Sequence, residues 1–184
     1  KEIELTKVVR GMEEYGVRVF PEDLKSLRKF YEDYMNQQLT TADKEGGKGL
    51  NFKSSKQKCQ VFFKDRGYTP TKFTKTGAPS VDGEVLAELA TKDKLAKAML
   101  EFCGGGHMIS NFLKPYERHR VFENGSWVLH PSYRQCGPVT GRFSASDPNL
   151  MTVAAEDTGR RKTEITLRPR EAFGPRDGHI LYLP

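Results

Sequence analysis

HPSYRQCGPVTGRFSASDPNL, residues His130–Leu150, reads as a strand end, a sharp bend and a turn. Gly141 permits the bend, and Asp147, Pro148 and Asn149 build the turn, each by its own backbone chemistry. Between them Thr140-Gly141-Arg142 presents a single arginine. A loop of this kind can hold a guanidinium and a carboxamide at fixed positions, which suits reading the edge of a ligand.

The segments flanking this stretch set the fold class. Just before it, His119–Phe122 and Ser126–Leu129 flank Asn124-Gly125, a two-residue hairpin signal. After it, Thr163–Leu167 and Ile180–Leu183 have the composition of further strands. The first part of the chain is helical in pattern. Ile3, Leu5, Val8, Val9 and Met12 recur at helical spacing, with Gly16 where a C-terminal cap belongs. Pro21 with Glu22 and Asp23 starts a second helix whose stripe of Leu24, Leu27, Tyr31 and Tyr34 runs to about Leu39.

Thr40–Gly49 has the composition of a polar linker. Ser54 and Ser55 are natural N-caps for a helix through Val61, Phe62 and Phe63 that Gly67 ends, and Asp82 and Asp93 cap two more. Gly104-Gly105-Gly106 sits inside the last helical pattern, where each glycine costs roughly 1 kcal/mol against alanine. Either the helix breaks there or something packs against bare backbone. A phosphate-cradling loop would need a following Gly-Lys-Ser/Thr, which is lacking. Helices first and strands after predict an α+β fold, with a seam near Pro115 to Phe122.

Composition narrows the function. The chain has 184 residues, enough for one or two compact units, and carries a net charge of +6. Between Lys53 and Lys75 lie Lys53, Lys56, Lys58, Lys64, Arg66, Lys72 and Lys75 against one acid, Asp65. A basic segment this dense, interleaved with Ser and Thr hydroxyls, suits phosphate contacts. Cys59, Cys103 and Cys136 are far apart and fit a reducing compartment. No run approaches the roughly 20 apolar residues of a membrane span, and no signal peptide opens the sequence. Position 1 is Lys rather than Met, which points to a processed or trimmed piece. His-x-His and His-Glu-x-x-His patterns are lacking, as is the Gly-x-Ser-x-Gly of a hydrolase.

The opening stretch resembles the "H-T-S-[FY]…T-G-R-L-S-S-x-D-P-N-L-Q-N" segment of family A DNA polymerases, the bacterial DNA polymerase I and phage replicase group. It matches at His130, Ser132, Tyr133, Thr140-Gly141-Arg142, Ser144 and Asp147-Pro148-Asn149-Leu150. Met12-Glu13-Glu14-Tyr15-Gly16-Val17 resembles the "M-E-x-x-G-[VI]" of that family's thumb, and Asn51–Gln57 its "N-[LP]-x-S-x-x-Q-L", with Lys58 in the leucine's place. Thr74–Ser80 resembles "T-x-K-T-G-x-x-S-T". Glu171-Ala172-Phe173 and Gly178–Leu181 resemble the "R-x-A-F…G-x-L-L" strand before the first catalytic motif.

The resemblance implies a helical thumb subdomain over residues 1–117, its tip at about 51–92, followed over 118–184 by the first antiparallel strands of a polymerase palm. Ser54, Lys56, Lys75, Thr76 and Ser80 would hold duplex phosphates. Arg142 would enter the minor groove beside the primer end with Asn149 nearby, where a nearly sequence-independent acceptor pattern lets a donor test pair geometry. An arginine pairing the sheet's own carbonyls is the bland reading of Arg142. His130 is carried over as a DNA-binding residue, and for it and Tyr133 packing and substrate contact stay open.

Departures from the family pattern bear on function. Met151-Thr152 replaces Gln-Asn, so part of the minor-groove hydrogen bonding is lost or rebuilt. Cys103, the triple glycine, His107 and Ile109 stand where the family's second long thumb helix carries arginine and lysines, so duplex grip there should be weaker, as in a divergent phage enzyme. Polymerases join nucleotides by two-metal phosphoryl transfer. The resemblance places the Mg2+-holding aspartates beyond Pro184, so a second polypeptide with fingers and the remaining palm is expected before the chain can act on primer–template DNA and dNTPs. The expected location is the cytoplasm, the host's for a phage enzyme. The alternative is a non-catalytic duplex-binding module derived from a thumb, which would use Lys53–Ser80 but not Arg142 and Asn149.

Overall fold

The computed structural model describes residues 2–135, 137–138, 140–153 and 169–180. Among these, one compact unit comprises residues up to Lys29 and from Met108 onward, and the other is Phe30–His107. The fold is α+β, as the order of patterns predicts.

The first unit starts with α1, Glu2–Tyr15. Gly16 ends it with φ +66° and its N–H donates to the Met12 carbonyl, 3.0 Å. A Cβ there would lie 2.7 Å from the Leu129 carbonyl oxygen, so only glycine lets the helix end seat on the neighbouring strand. Strand β1, Val17–Val19, follows at once. α2, Pro21–Ala42, begins in this unit and ends in the second. Of the apolar positions expected in the first helix, Val9 is buried, whereas Leu5, Val8 and Met12 are exposed.

The sheet has the order β2-β3-β1-β6, every pair antiparallel. β2 (Arg120–Glu123) and β3 (Ser126–Leu129) form the expected hairpin, with Asn124 and Gly125 both at positive φ as such a two-residue turn requires. β4 (Ser132–Arg134) and β5 (Ser144–Ser146) make a separate two-stranded ribbon. β6, Phe173–Gly174, pairs with β1. Val19, Leu24, Leu113, Tyr116, Val128 and Leu129 form the core of this unit. The strand expected at Thr163–Leu167 lies outside the described residues. So does the one at Ile180–Leu183, except for Ile180 itself, which is exposed and not in a strand.

The second unit is helical. α3 (Ser55–Cys59) runs into a wider π-type turn over Gln60–Asp65, and α4 (Gly83–Ala90) and α5 (Lys94–Met108) follow. Phe52, Phe62, Val81, Leu86, Leu95 and Met99 fill its core. The expected linker at Thr40–Gly49 is instead helical as far as Ala42, which is fully buried. The Thr40 and Thr41 hydroxyls donate back to the Asn36 and Gln37 carbonyls, so their polarity is absorbed by the helix itself. The triple glycine does not break α5. A Cβ on Gly105 would lie 2.8 Å from Met35 Cγ, so the bare backbone accommodates the Met35 side chain of α2. Past Met108 the backbone stays helical through a π turn, Ile109–Leu113, into α6, Lys114–His119. Pro115 accounts for the wider turn: it has no N–H, and its ring would crowd the carbonyl four residues back.

Candidate nucleic-acid interface

Two separate groups of donors stand out, one in each unit. In the helical unit the Ser54 hydroxyl caps α3 by accepting the Gln57 N–H at 3.4 Å. α3 is tethered to the segment ahead of α4: Cys59 Sγ donates to the Pro79 carbonyl at 3.2 Å and Lys58 Nζ to the Val81 carbonyl at 3.0 Å. That segment is the return limb of a tight hairpin. Thr74 N–H donates to the Ala78 carbonyl at 2.8 Å, Gly77 N–H to the Thr74 carbonyl at 2.9 Å, and Ser80 N–H to the Lys72 carbonyl at 2.9 Å. Gly77 supplies the positive φ, +78°. Lys75 and Thr76 occupy the hairpin's tip, exposed, with Thr76 Oγ1 2.9 Å from Thr74 Oγ1.

Charge pairing sorts the basic segment. Lys58 is tied to a carbonyl, Arg66 to Asp93 at 2.6 Å, and Lys72 to both Asp82 and Glu84 at 2.6 Å. Lys53, Lys56, Lys64 and Lys75 are exposed, and their ammonium groups make no hydrogen bond or ion pair among the described residues. Lys53 and Lys64 match no family motif, so only their unpaired state adds them to Lys56 and Lys75. Ser80 is half-buried beside its tether.

The Lys72 pair anchors the hairpin. The Lys72 ammonium, then the backbone N–H of Val85, hold the Asp82 carboxyl below the ordinary carboxylate range: Oδ2 meets the ammonium, and Oδ1 caps α4 by accepting the Glu84 and Val85 N–H groups at 3.1 Å. A group with a depressed folded pKa contributes stability above its unfolded value and loses it as the pH falls through the folded one. Carboxyl-carbon NMR titration is expected to place the Asp82 midpoint below that of an unstructured aspartate, and Lys72→Gln to move it upward. An unmoved midpoint would show that the lysine does not hold the turn.

The sheet unit carries the second group. Gly141, at φ +70°, donates its N–H to the Pro138 carbonyl at 3.0 Å and turns the chain so that Arg142 is exposed. The Arg142 guanidinium makes no hydrogen bond or ion pair among the described residues, and neither does that of exposed Arg134, whose backbone faces Ser144 across the ribbon. Asn149 Oδ1 accepts the Met151 N–H at 3.0 Å, which leaves the carboxamide NH2 pointing at solvent as a donor. His130 is occupied differently: Nδ1 donates to the Glu13 carbonyl at 2.7 Å and Nε2 lies 3.2 Å from Glu123 Oε1.

Lys53, Lys56, Lys64, Lys75 and Arg142 are donors with no carboxylate paired to them among the described residues, an arrangement that favours a polyanion and, at Arg142 and Asn149, acceptors on a base edge. Among the described residues no group of three or more His, Cys, Asp or Glu side chains is placed to hold a metal ion, and no helix is long and apolar enough to cross a membrane.

Comparison with known proteins follows the same direction. A sequence profile described as DNA polymerase family A matches residues 21–183. A DNA polymerase of Bacillus phage SP01 is 33% identical over 105 residues, 57% of this chain and 11% of that protein. DNA polymerase I of Caldicellulosiruptor bescii is 30% identical over 180 residues, 96% of this chain and 20% of that protein. The chain thus spans about a fifth or less of the length of these relatives. Among solved structures, the POL domain of Pol1 from M. smegmatis, in complex with DNA primer-template and dNTP, superposes with a TM-score of 0.80 at 26% identity. That match covers 96% of this chain and 30% of the other.

Proposed function

We propose that this chain, which belongs to DNA polymerase family A, is the duplex-gripping thumb and first palm portion of a template-directed DNA polymerase. The observation that carries the reading is the pairing state of its cations. Lys53, Lys56, Lys64 and Lys75 are left without internal partners in one unit, and Arg142 in the other, while Lys58, Arg66 and Lys72 are internally tied.

Unpaired lysines release counterions on meeting phosphates and position a duplex without reading it. Arg142 and the Asn149 carboxamide donate to the minor-groove acceptors that every correct base pair presents, which tests pair geometry while tolerating any sequence. The family's reaction uses divalent metal ions to stabilise the attacking and leaving oxygens. The described residues do not fit such an ion, so no step of metal chemistry is assigned to them. Primer–template DNA is the proposed partner of this chain, and dNTPs and a polypeptide bearing fingers and the rest of the palm complete the proposed enzyme.

The test separates grip from geometry. Anisotropy titration of a primer–template duplex gives affinity and its salt slope, and extension is measured after adding the remaining polymerase portion. Arg142→Ala is expected to slow extension by about tenfold or more, the scale of one lost bidentate contact, with affinity and salt slope little changed. Lys75→Ala is expected to weaken binding and flatten the slope by about 0.9. Equal effects of both variants on both quantities would overturn the division. A chain that binds duplex but supports no extension with the added portion would favour a non-catalytic duplex-binding module.

A further inference from the structure

We propose that Glu13, in the last turn of α1, is a positioning residue for the loop that presents Arg142 and Asn149, holding it through both its carboxylate and its backbone carbonyl. The inference rests on the reading of that loop given above.

Glu13 grips the two ends of a four-residue segment. Its carbonyl accepts from His130 Nδ1 at 2.7 Å, and its Oε1 accepts the Tyr133 N–H at 2.5 Å. A carbonyl can only accept, so Nδ1 carries the proton and the imidazole orientation is set. Nε2 then faces Glu123 Oε1 at 3.2 Å, and Arg176 Nη2 holds the same carboxylate at 2.5 Å. The Nδ1 bond is therefore what fixes His130, and Glu123 adds an ion pair only when the imidazole is also protonated at Nε2.

Tyr133 is the centre of β4. It pairs with Ala145, flanked by Ser132 opposite Ser146 and Arg134 opposite Ser144. Ala145 is buried, whereas Arg142, shortly before β5, and Asn149, shortly after it, are exposed. The Glu13 bond thus acts on the ribbon at the residue whose register sets both. Burial, then the Glu13 charge, hold the Tyr133 hydroxyl above its ordinary pKa, in keeping with a carboxylate set against this strand.

α1 is itself firmly seated at this end. The Cβ that Gly16 lacks would lie 2.6 Å from Val128 Cγ1 and 2.9 Å from His130 Cε1, so the helix terminus abuts β3 and the histidine. Arg176 donates to the Tyr15 carbonyl and packs over the Tyr15 ring, 4.6 Å from its centroid. A carboxylate on so fixed a turn is a reference point for the loop.

The test compares Glu13→Ala with Glu13→Gln in the full chain, because glutamine keeps an Oε1 acceptor for the Tyr133 N–H. In the free protein, amide hydrogen exchange at Tyr133 and Ala145 should accelerate about tenfold or more in Glu13→Ala. In that variant 15N relaxation at Arg142 should show greater mobility. Glu13→Gln should stay close to wild type in both. On adding a primer–template duplex, the Arg142 Nε–H and Asn149 side-chain resonances should shift in wild type and Glu13→Gln and respond at least several-fold less in Glu13→Ala. The salt slope set by the lysines should hold in all three.

Unchanged exchange and mobility in Glu13→Ala, or a glutamine variant that behaves like alanine, would overturn the proposal. If Glu13→Ala fails to fold, the comparison of glutamine with wild type decides: loss of loop order there would show that the acceptor is not what holds it. If the free-protein effects appear but wild-type Arg142 and Asn149 ignore the duplex, the clamp stands and the reading of the loop as a minor-groove contact falls.

Discussion

Asp93→Ala is expected to destabilise the helical unit by about 3 kcal/mol. The Asp93 side chain is fully buried and serves several elements at once. Oδ1 accepts the Leu95 and Ala96 N–H groups at 2.8 and 3.3 Å, capping α5. Oδ2 lies 2.6 Å from Arg66 Nη1, and the other guanidinium nitrogen donates to the Glu45 carbonyl in the turn after α2. Losing the cap costs about 1 kcal/mol. Leaving the arginine unpaired costs more, up to about 3–5 kcal/mol for a buried pair. Arg66 is 29% exposed, so water recovers part of that.

For a compact unit of this size, Phe30–His107, about 3 kcal/mol corresponds to a fall in Tm of roughly 12–24 °C. Asp93→Asn should fall between, because the carboxamide oxygen still caps the helix while the charge is gone. Urea unfolding monitored in the far ultraviolet would check both. A loss below about 1 kcal/mol for alanine would mean that Arg66 finds full solvation elsewhere and that the node is not what joins these elements.

What could be foreseen from the sequence divides along a physical line. The helix starts at Pro21, Ser54, Asp82 and Asp93 were legible because capping is local chemistry, carried by a side chain within a few residues of the N–H it accepts. Asn124-Gly125 was legible for the same reason. β1 and β6 were not. Three residues and two residues carry no periodicity, and they become strands only because Val17 finds Leu129 and Arg18 finds Gly174, far away in the chain. Thr40–Gly49 looked like a linker on composition, and tertiary burial of Ala42 overrode it. Gly104-Gly105-Gly106 left two readings open, and only the position of Met35 decides between them.

The candidate site divides the same way. Residue types at Arg142, Asn149, Lys75 and Thr76 could be named from motifs, but which cations are free could not, since that depends on where Asp82, Glu84 and Asp93 lie. His130 shows the converse. A motif histidine invites a contact role, yet its two nitrogens are directed at Glu13 and Glu123, and that geometry leads to Glu13, a residue with no such role in the motif reading.

Replacing Lys53, Lys56, Lys64 and Lys75 together by glutamine is expected to remove most of the salt dependence of duplex binding. Each phosphate contact contributes about 0.9 to the slope of log K against log salt, so four contribute about 3.6. Between 50 and 200 mM salt, a fourfold change, that slope alone lowers wild-type affinity by roughly 100-fold. The quadruple variant should bind more weakly at low salt and change far less across the range, so that the two curves converge as salt rises.

Glutamine keeps the length of each stem while removing the charge, and none of the four lysines has an internal partner among the described residues, so folding stability should hold. Lys58→Gln with Lys72→Gln is the control of matched chemistry. Those ammonium groups are engaged with the Val81 carbonyl and with Asp82 and Glu84, so their loss should lower stability while moving the slope little. Anisotropy titrations at several salt concentrations distinguish the two sets. If the tethered pair moved the slope as much per charge as the free four, net charge alone would explain the binding, and the sorting of lysines by their partners would carry no functional meaning.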